Sequence, residues 1–388
     1  MVSVNPVVGK LAAYPAEALY AKRDALRAAG LEVFDFSVGD PIEPTAEGLV
    51  EAFRASVPPV SQYPTIRGDA AFREAVSAWI ARRFSGAVVD PNTELLPSRG
   101  SKEAIFHLPL TFLDAKGPRP KVLYGVPGYP VYERGTLFAG GEPWAVELRP
   151  ETGYRLEPWE LPAEEIAKTS IIWINYPHNP TAANVDLAYL ERVASFCQER
   201  EILLCSDECY VDMYFEEPKP PSVLELKNRE GVLAFHSLSK RSGMTGYRSG
   251  FIAGDAELVA LLAKTRPNFG VAKTIMGMAA GQWAWTDEEH AEARRQAFLA
   301  KRDAFMAFFA EVGLSHTPCT STLYLWVRTP GDQNAMAYAE ALAERGLLLS
   351  PAAFHGVEQP YVRVALVPSL ADCERAIAIW RKFHEETR

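Results

Sequence analysis

The sequence predicts an α/β fold: short, wholly apolar runs alternate with amphipathic helical stretches, and several apolar runs end directly in polar clusters. At 388 residues the chain exceeds one ordinary core, so a large unit with a smaller companion is expected.

The first helical signal is AEALYAKRDALRAAG, an amphipathic run stopped by Gly30. Asp69 to Phe84 is the second, with Asp69 placed to cap its amino end. Strand-like runs follow at Val122 to Tyr124, Ile171 to Ile174, Ile202 to Ser206 and Val232 to Phe235. Helical stretches at Ser101 to Phe112, Val131 to Ala139 and Asp186 to Glu199 lie between several of them. Fully apolar strands separated by helices predict a mostly parallel sheet covered on both faces. Beyond about residue 285 the texture changes to a long charged helix (Asp287 to Val312), then Tyr324 to Val327, a helix at Gln333 to Arg345, Tyr361 to Ala365 and a last helix. That pattern predicts a smaller α+β domain. The expected division is 42–285 for the large domain and 286–388 for the small one, with 1–41 joining the latter.

The formal charge of −9, without a run of one sign, argues against nucleic acid or an anionic membrane as the main partner. No 18-residue apolar stretch predicts a transmembrane helix, and the amino-terminal residues lack a signal-peptide core. The five cysteines are scattered, which gives no disulfide framework or metal-ligand spacing and fits a reducing cytoplasm.

Ligands of open α/β sheets sit beyond the carboxyl ends of the strands. Those ends read Asn175-Tyr176-Pro177-His178-Asn179-Pro180-Thr181, Asp207-Glu208-Cys209-Tyr210 and His236-Ser237-Leu238-Ser239-Lys240. A lysine leaving an apolar strand is desolvated, which makes its amine available as a nucleophile. Ser237, Ser239 and Arg248 around it offer hydroxyl and guanidinium donors to a phosphate, so Lys240 suits a phosphorylated aldehyde. A surface lysine in a polar loop would read the same. Asp207, against a pyridine nitrogen, would keep that nitrogen protonated; it could equally be a helix cap or a loop carboxylate.

NYPHNPTAAN, SDECY and SLSKRSGMTGYRSG, in this order and spacing, resemble the aspartate-aminotransferase-like family of pyridoxal-phosphate fold type I. FSVGDP, YPTIRGDAAFREAV, SRGSKEAI, PGYPVY and YVRVAL match further family elements in order, so the likeness extends over nearly the whole chain. It implies that Lys240 is the Schiff-base lysine and the base that moves the substrate proton. Asp207 would pair with the pyridinium nitrogen, Asn179 and Tyr210 would bond the 3-oxygen, and Tyr129 would stack on the ring. Gly100, Ser101 and Lys102 at a helix start, with Ser237, Ser239 and Arg248, would hold the phosphate. Tyr63 would reach the phosphate of a neighbouring subunit, which implies a homodimer with shared sites. Arg363 would clamp the substrate α-carboxylate, with Gly39 and Asn179 beside it.

Substrates would then be an amino acid and a 2-oxo acid, glutamate and 2-oxoglutarate forming one pair. Within the family the chain looks most like N-succinyl-diaminopimelate aminotransferases of lysine synthesis, with Arg67 and Arg99 as candidates for the extra carboxylates. Alanine, aspartate, methionine or aromatic substrates stay open, as does carbon–sulfur β-lyase chemistry on the same residues. A ligand-binding regulator is disfavoured, because family motifs begin near residue 33. Ala182 stands where the family commonly has glycine, so its loop must avoid positive φ or carry strain. His178 is expected to be structural, and Cys209 to face away from the site.

Overall fold

The computed structural model describes residues 2–12 and 14–387. Its strands are β1 (Phe34–Asp35), β2 (Leu95–Ser98), β3 (Lys121–Val126), β4 (Glu142–Glu147), β5 (Thr169–Asn175), β6 (Leu203–Asp207), β7 (Val232–Ser237), β8 (Gly250–Gly254), β9 (Tyr324–Arg328), β10 (Leu347–Leu348), β11 (Ser350–Pro351) and β12 (Tyr361–Ala365). Seven form one sheet in the order β2-β8-β7-β6-β5-β3-β4. Neighbours from β7 through β4 are parallel, and β8 runs against both its neighbours.

The four strands expected from apolar runs are the central ones. The three not anticipated have physical reasons for a weak signal. β2 and β4 are the edges, where Pro97 is tolerated in one and exposed polar positions in the other. β8 begins and ends in glycine because backbone passes close by: a Cβ on Gly250 would lie 2.3 Å from the His236 carbonyl, and one on Gly254 2.2 Å from that of Val232.

Both sheet faces are covered, as the alternation of elements requires. Phe72, Trp79, Phe251 and Trp285 pack on one side; Leu96, Ile171, Trp173 and Phe235 fill the other. Helices cover them at Ala70–Arg83, Ser101–Phe112, Val131–Phe138, Leu187–Gln198 and Ile275–Thr286. Asp186 caps its helix by accepting from Tyr189 N at 2.8 Å, whereas Asp69 occupies the cap position without a side-chain bond. A separate cluster joins Phe34 and Phe36 to Phe298, Phe305, Phe309 and Trp380. There β1 pairs with β10, and β11, β12 and β9 form an antiparallel sheet. Residues 34–36 are therefore packed with the carboxyl-terminal elements.

For the site, register matters most. Asn175 lies opposite Asp207, and Asp207 opposite Phe235, so the carboxyl ends of β5, β6 and β7 open side by side.

Candidate active site

A cavity of about 520 Å³ lies over those three strand ends, closed from the other side by β12, Tyr324 and the turn after β11. Asp207 ends β6 and is 3% exposed. Its Oδ2 accepts from the Tyr132 hydroxyl at 2.8 Å. Burial raises the Asp207 pKa, opposed by hydrogen bonds from Cys209 and Tyr132. A buried carboxylate facing a cavity needs a cationic partner to be stable as an anion.

A chain of hydrogen bonds runs from Asp207 to Arg363. Asn175 Nδ2 donates to the Asp207 carbonyl at 2.7 Å, and Asn175 Oδ1 accepts from Asn179 N at 3.1 Å. Asn179 Oδ1 in turn accepts from Arg363 Nη1 at 3.1 Å. Arg363 Nη2 donates to the Ser37 carbonyl, and its guanidinium lies 4.5 Å from the centre of the Tyr324 ring. Its buried Nε has no acceptor among the described residues. Tyr324 and Tyr210 share a hydroxyl–hydroxyl bond of 3.1 Å. Lys240, on the short helix Leu238–Arg241 that follows β7, donates from Nζ to the Gly39 carbonyl. Gly39 must be glycine: a Cβ would overlap the Tyr324 hydroxyl at 2.1 Å.

The opposite end of the cavity is built for an anion. Ser101 opens the helix Ser101–Phe112, which points free backbone N–H groups and the positive end of its dipole toward Ser237, Ser239 and Arg248. Gly100 has φ +78°, and a Cβ there would lie 2.7 Å from Arg248 Nη2. Arg248 itself is held at φ +54°, a conformation that costs a non-glycine residue energy and tends to persist where function demands it.

Among the residues singled out from sequence, Gly39, Ser101, Lys102, Tyr129, Asn179, Asp207, Tyr210, Ser237, Ser239, Lys240, Arg248 and Arg363 all line this cavity, and Gly100 backs Arg248. Lys102 turns its ammonium to Tyr14, whose hydroxyl accepts at 3.1 Å. Tyr63 is fully exposed, away from the cavity of its own chain. Arg67 and Arg99 also lie outside it; Arg67 instead donates to the Asn92 carbonyl at 2.8 Å. His178 is structural as expected: Nδ1 and Thr181 Oγ1 are 2.7 Å apart, and burial pushes its pKa down to about 3. Ala182 takes φ +58°, so the strain foreseen for that loop is present.

The expectation for Cys209 is overturned. It lines the cavity, and its Sγ donates to Ser101 Oγ at 2.8 Å. The alternation of strand faces does not extend that far, because β6 stops at Asp207 and Cys209 lies in the following turn. Tyr132 was not anticipated either. PGYPVY places it three residues after Tyr129, one helical turn on, which is the signal that could have revealed it.

The donor set fits pyridoxal phosphate: an anion cup at one end, a buried carboxylate for a ring nitrogen, and a primary amine between them. Gly100 supplies the independent mark, since its φ of +78° and the 2.7 Å approach a Cβ would make to Arg248 Nη2 both disfavour a side chain at the cup. Fold and site together define a pyridoxal-phosphate-dependent transferase of fold type I. The family model "Aminotransferase class I and II" matches residues 32–379, and the chain belongs to that family. It is an aminotransferase, acting between amino and 2-oxo acids.

The chain is 37% identical over 352 residues to LL-diaminopimelate aminotransferase 2 of Trichormus variabilis, covering 89% of each. An aminotransferase structure from Neisseria meningitidis superposes with a TM-score of 0.91 at 30% identity, over 98% of this chain and 100% of that one. A probable N-succinyldiaminopimelate aminotransferase from Thermus thermophilus gives 0.86 at 26%, over 94% and 98%. No helix among the described residues is long and apolar enough to cross a membrane.

Proposed function

We propose that this enzyme transfers an amino group between LL-diaminopimelate and a 2-oxo acid such as 2-oxoglutarate, with the free diamino acid preferred over its N-succinyl form. The preference follows the names of the sequence relatives, which replace the N-succinyl expectation. The observation that carries the site assignment is the hydrogen-bonded chain from Asp207 through Asn175 and Asn179 to Arg363, which ties an acid at one wall to a carboxylate clamp at the other.

When bound, pyridoxal phosphate supplies an aldehyde to take up the amino group and a ring that withdraws electrons from the substrate carbon. Lys240 would hold it through Nζ, and the same amine, when free, would serve as the base that takes the substrate α-proton and as the acid that gives it back. Asp207 would keep the ring nitrogen protonated. Asn179 and Tyr210 would bond the ring oxygen, Tyr129 would cover the ring, and Gly100, Ser101, Lys102, Ser237, Ser239 and Arg248 would hold the phosphate. Arg363 takes the α-carboxylate as a fork of donors, with Gly39 and Asn179 beside it.

Tyr63, fully exposed here, reaches the phosphate site of a second copy in a homodimer; Val57 and Val60 lie exposed on the same segment. Residues 1–41 and 286–388 act as one small domain against 42–285. Five free cysteines suit a reducing cytoplasm.

Borohydride reduction of the loaded protein followed by peptide mapping tests the attachment: the cofactor mass should be found on Lys240 and vanish in Lys240→Ala. Absorbance titration with LL-diaminopimelate, N-succinyl-diaminopimelate and glutamate then tests the substrate. A response to the succinylated compound at lower concentration than to the free one would reverse the preference.

A further inference from the structure

One side-chain pair in the cavity has no part in the assignments above. Ser350 starts β11 directly opposite Arg363 of β12, and residues opposed on an antiparallel ladder project to the same face. Both line the cavity. The strand stops at Pro351, and the turn Ala352–His355 closes on Gly356 at φ +90°, a left-handed position suited to glycine. That reversal brings the His355 ring back over Ser350, with Nε2 3.0 Å from Oγ. Ser350 is 1% exposed and His355 8%.

His355 is also tied to the other wall, since its carbonyl accepts from Gly128 N at 2.9 Å, next to Tyr129. Its ring meets Trp326 edge-on. Burial first, then the Arg363 guanidinium and His178, hold its pKa well below the ordinary imidazole value, so the ring is neutral. A neutral imidazole carries one N–H and one lone pair. Among the described residues Nδ1 has no hydrogen-bond partner, while the neighbouring Arg363 Nε is a buried donor without an acceptor. An unpaired guanidinium donor and an imidazole nitrogen without a partner, on two residues that both line the cavity, suit an oxygen anion.

We propose that His355 is a substrate-orienting residue: the Ser350 hydroxyl donates to Nε2, fixing the tautomer that places the proton on Nδ1, and Nδ1–H donates to a carboxylate oxygen of the bound amino or oxo acid beside Arg363. This rests on the reading of Arg363 as the carboxylate clamp. It makes the anion seat a two-residue device and gives Ser350 a positioning role through the ring.

The test uses the loaded enzyme with His355→Phe, His355→Asn, Ser350→Ala and, as reference, Arg363→Lys. The readouts are KM and kcat for glutamate, the inhibition constant of succinate as an unreactive dicarboxylate, and the dissociation constant of pyridoxal phosphate. His355→Phe should raise KM and the succinate constant together by about tenfold or more, the effect of losing one hydrogen bond to a charged group. kcat and cofactor affinity should stay within about threefold. His355→Asn, which keeps a donor, should recover part of the loss, and Ser350→Ala should fall between. The last two carry the test if the phenylalanine variant does not fold. Raised KM in Arg363→Lys with unchanged KM and succinate binding in the His355 and Ser350 variants overturns this proposal alone. Unchanged KM in Arg363→Lys overturns the clamp reading and the proposal with it. Loss of cofactor affinity in step with KM assigns His355 to the scaffold and also overturns it.

Discussion

Tyr132→Phe removes one hydroxyl and leaves the stacked contact with Trp173, at 5.2 Å between ring centres, in place. The lost phenol donates to Asp207 Oδ2 at 2.8 Å, at a site 3% exposed where water cannot freely replace it. A hydrogen bond to a charged group contributes roughly 1.5–3 kcal/mol. The Asp207 pKa is already raised by burial, against the lowering effect of Cys209 and Tyr132, so the variant raises it further. An acid whose folded pKa lies above its unfolded one destabilises the fold when ionised. That cost is absent below the unfolded pKa, grows as pH rises toward the folded one, and is complete above it. The cofactor-free variant should therefore be up to about 1.5–3 kcal/mol less stable than the parent at neutral pH, with the difference shrinking as pH falls through the raised folded pKa values of variant and parent and gone in the ordinary carboxylate range. Denaturant unfolding at several pH values measures this. In an Asp207→Asn background, where no charge is left to solvate, Tyr132→Phe should cost no more than about 1 kcal/mol. Equal losses in both backgrounds would refute the link between the phenol and the carboxylate.

Gly100→Ala puts a methyl 2.7 Å from Arg248 Nη2 at φ +78°, so the dissociation constant of pyridoxal phosphate should rise by at least about tenfold in a fluorescence titration; parental affinity would contradict the anion cup. Arg294 is buried with no hydrogen bond at Nε, Nη1 or Nη2 among the described residues; it approaches Glu43, which keeps Lys301, at 3.7 Å and lies 5.8 Å from the Phe298 ring centre. Arg294→Met should leave stability unchanged or raise it by about 1–4 kcal/mol, and a loss on denaturant unfolding would show the guanidinium to be satisfied. Ala182→Gly relieves about 1–2 kcal/mol of left-handed strain but gives up a buried methyl of about 0.8 kcal/mol and frees the unfolded chain by about 0.5–1 kcal/mol. The net change should stay within about 1 kcal/mol, and a larger loss would mean that the methyl packs more tightly against its neighbours than its volume suggests.

The strand ends were legible because each holds its chemistry within a few consecutive residues. Asn179, Asp207 and Lys240 follow apolar runs directly, and a strand end in a parallel sheet has one place to be. Arg363 could be located only by likeness to a family, since an arginine inside an apolar strand is equally an edge residue. The glycine-bounded β8 and the edge strands escaped notice because backbone approach and edge position, not apolar periodicity, allow those sequences.

The sequence alone therefore determined the order of elements, the parallel core of the sheet and most of the residues that line the cavity, because these depend on local apolar patterns and short contiguous motifs. Tertiary structure decided which way side chains point once a strand has ended and which distant segments share a wall. Cys209 turns toward Ser101 rather than away from it, Tyr132 reaches Asp207 across 75 positions, and His355 comes to rest between Ser350 and Gly128. None of these follows from periodicity, because a turn has no fixed period and a contact between remote segments exists only after the sheet and its covering elements have packed.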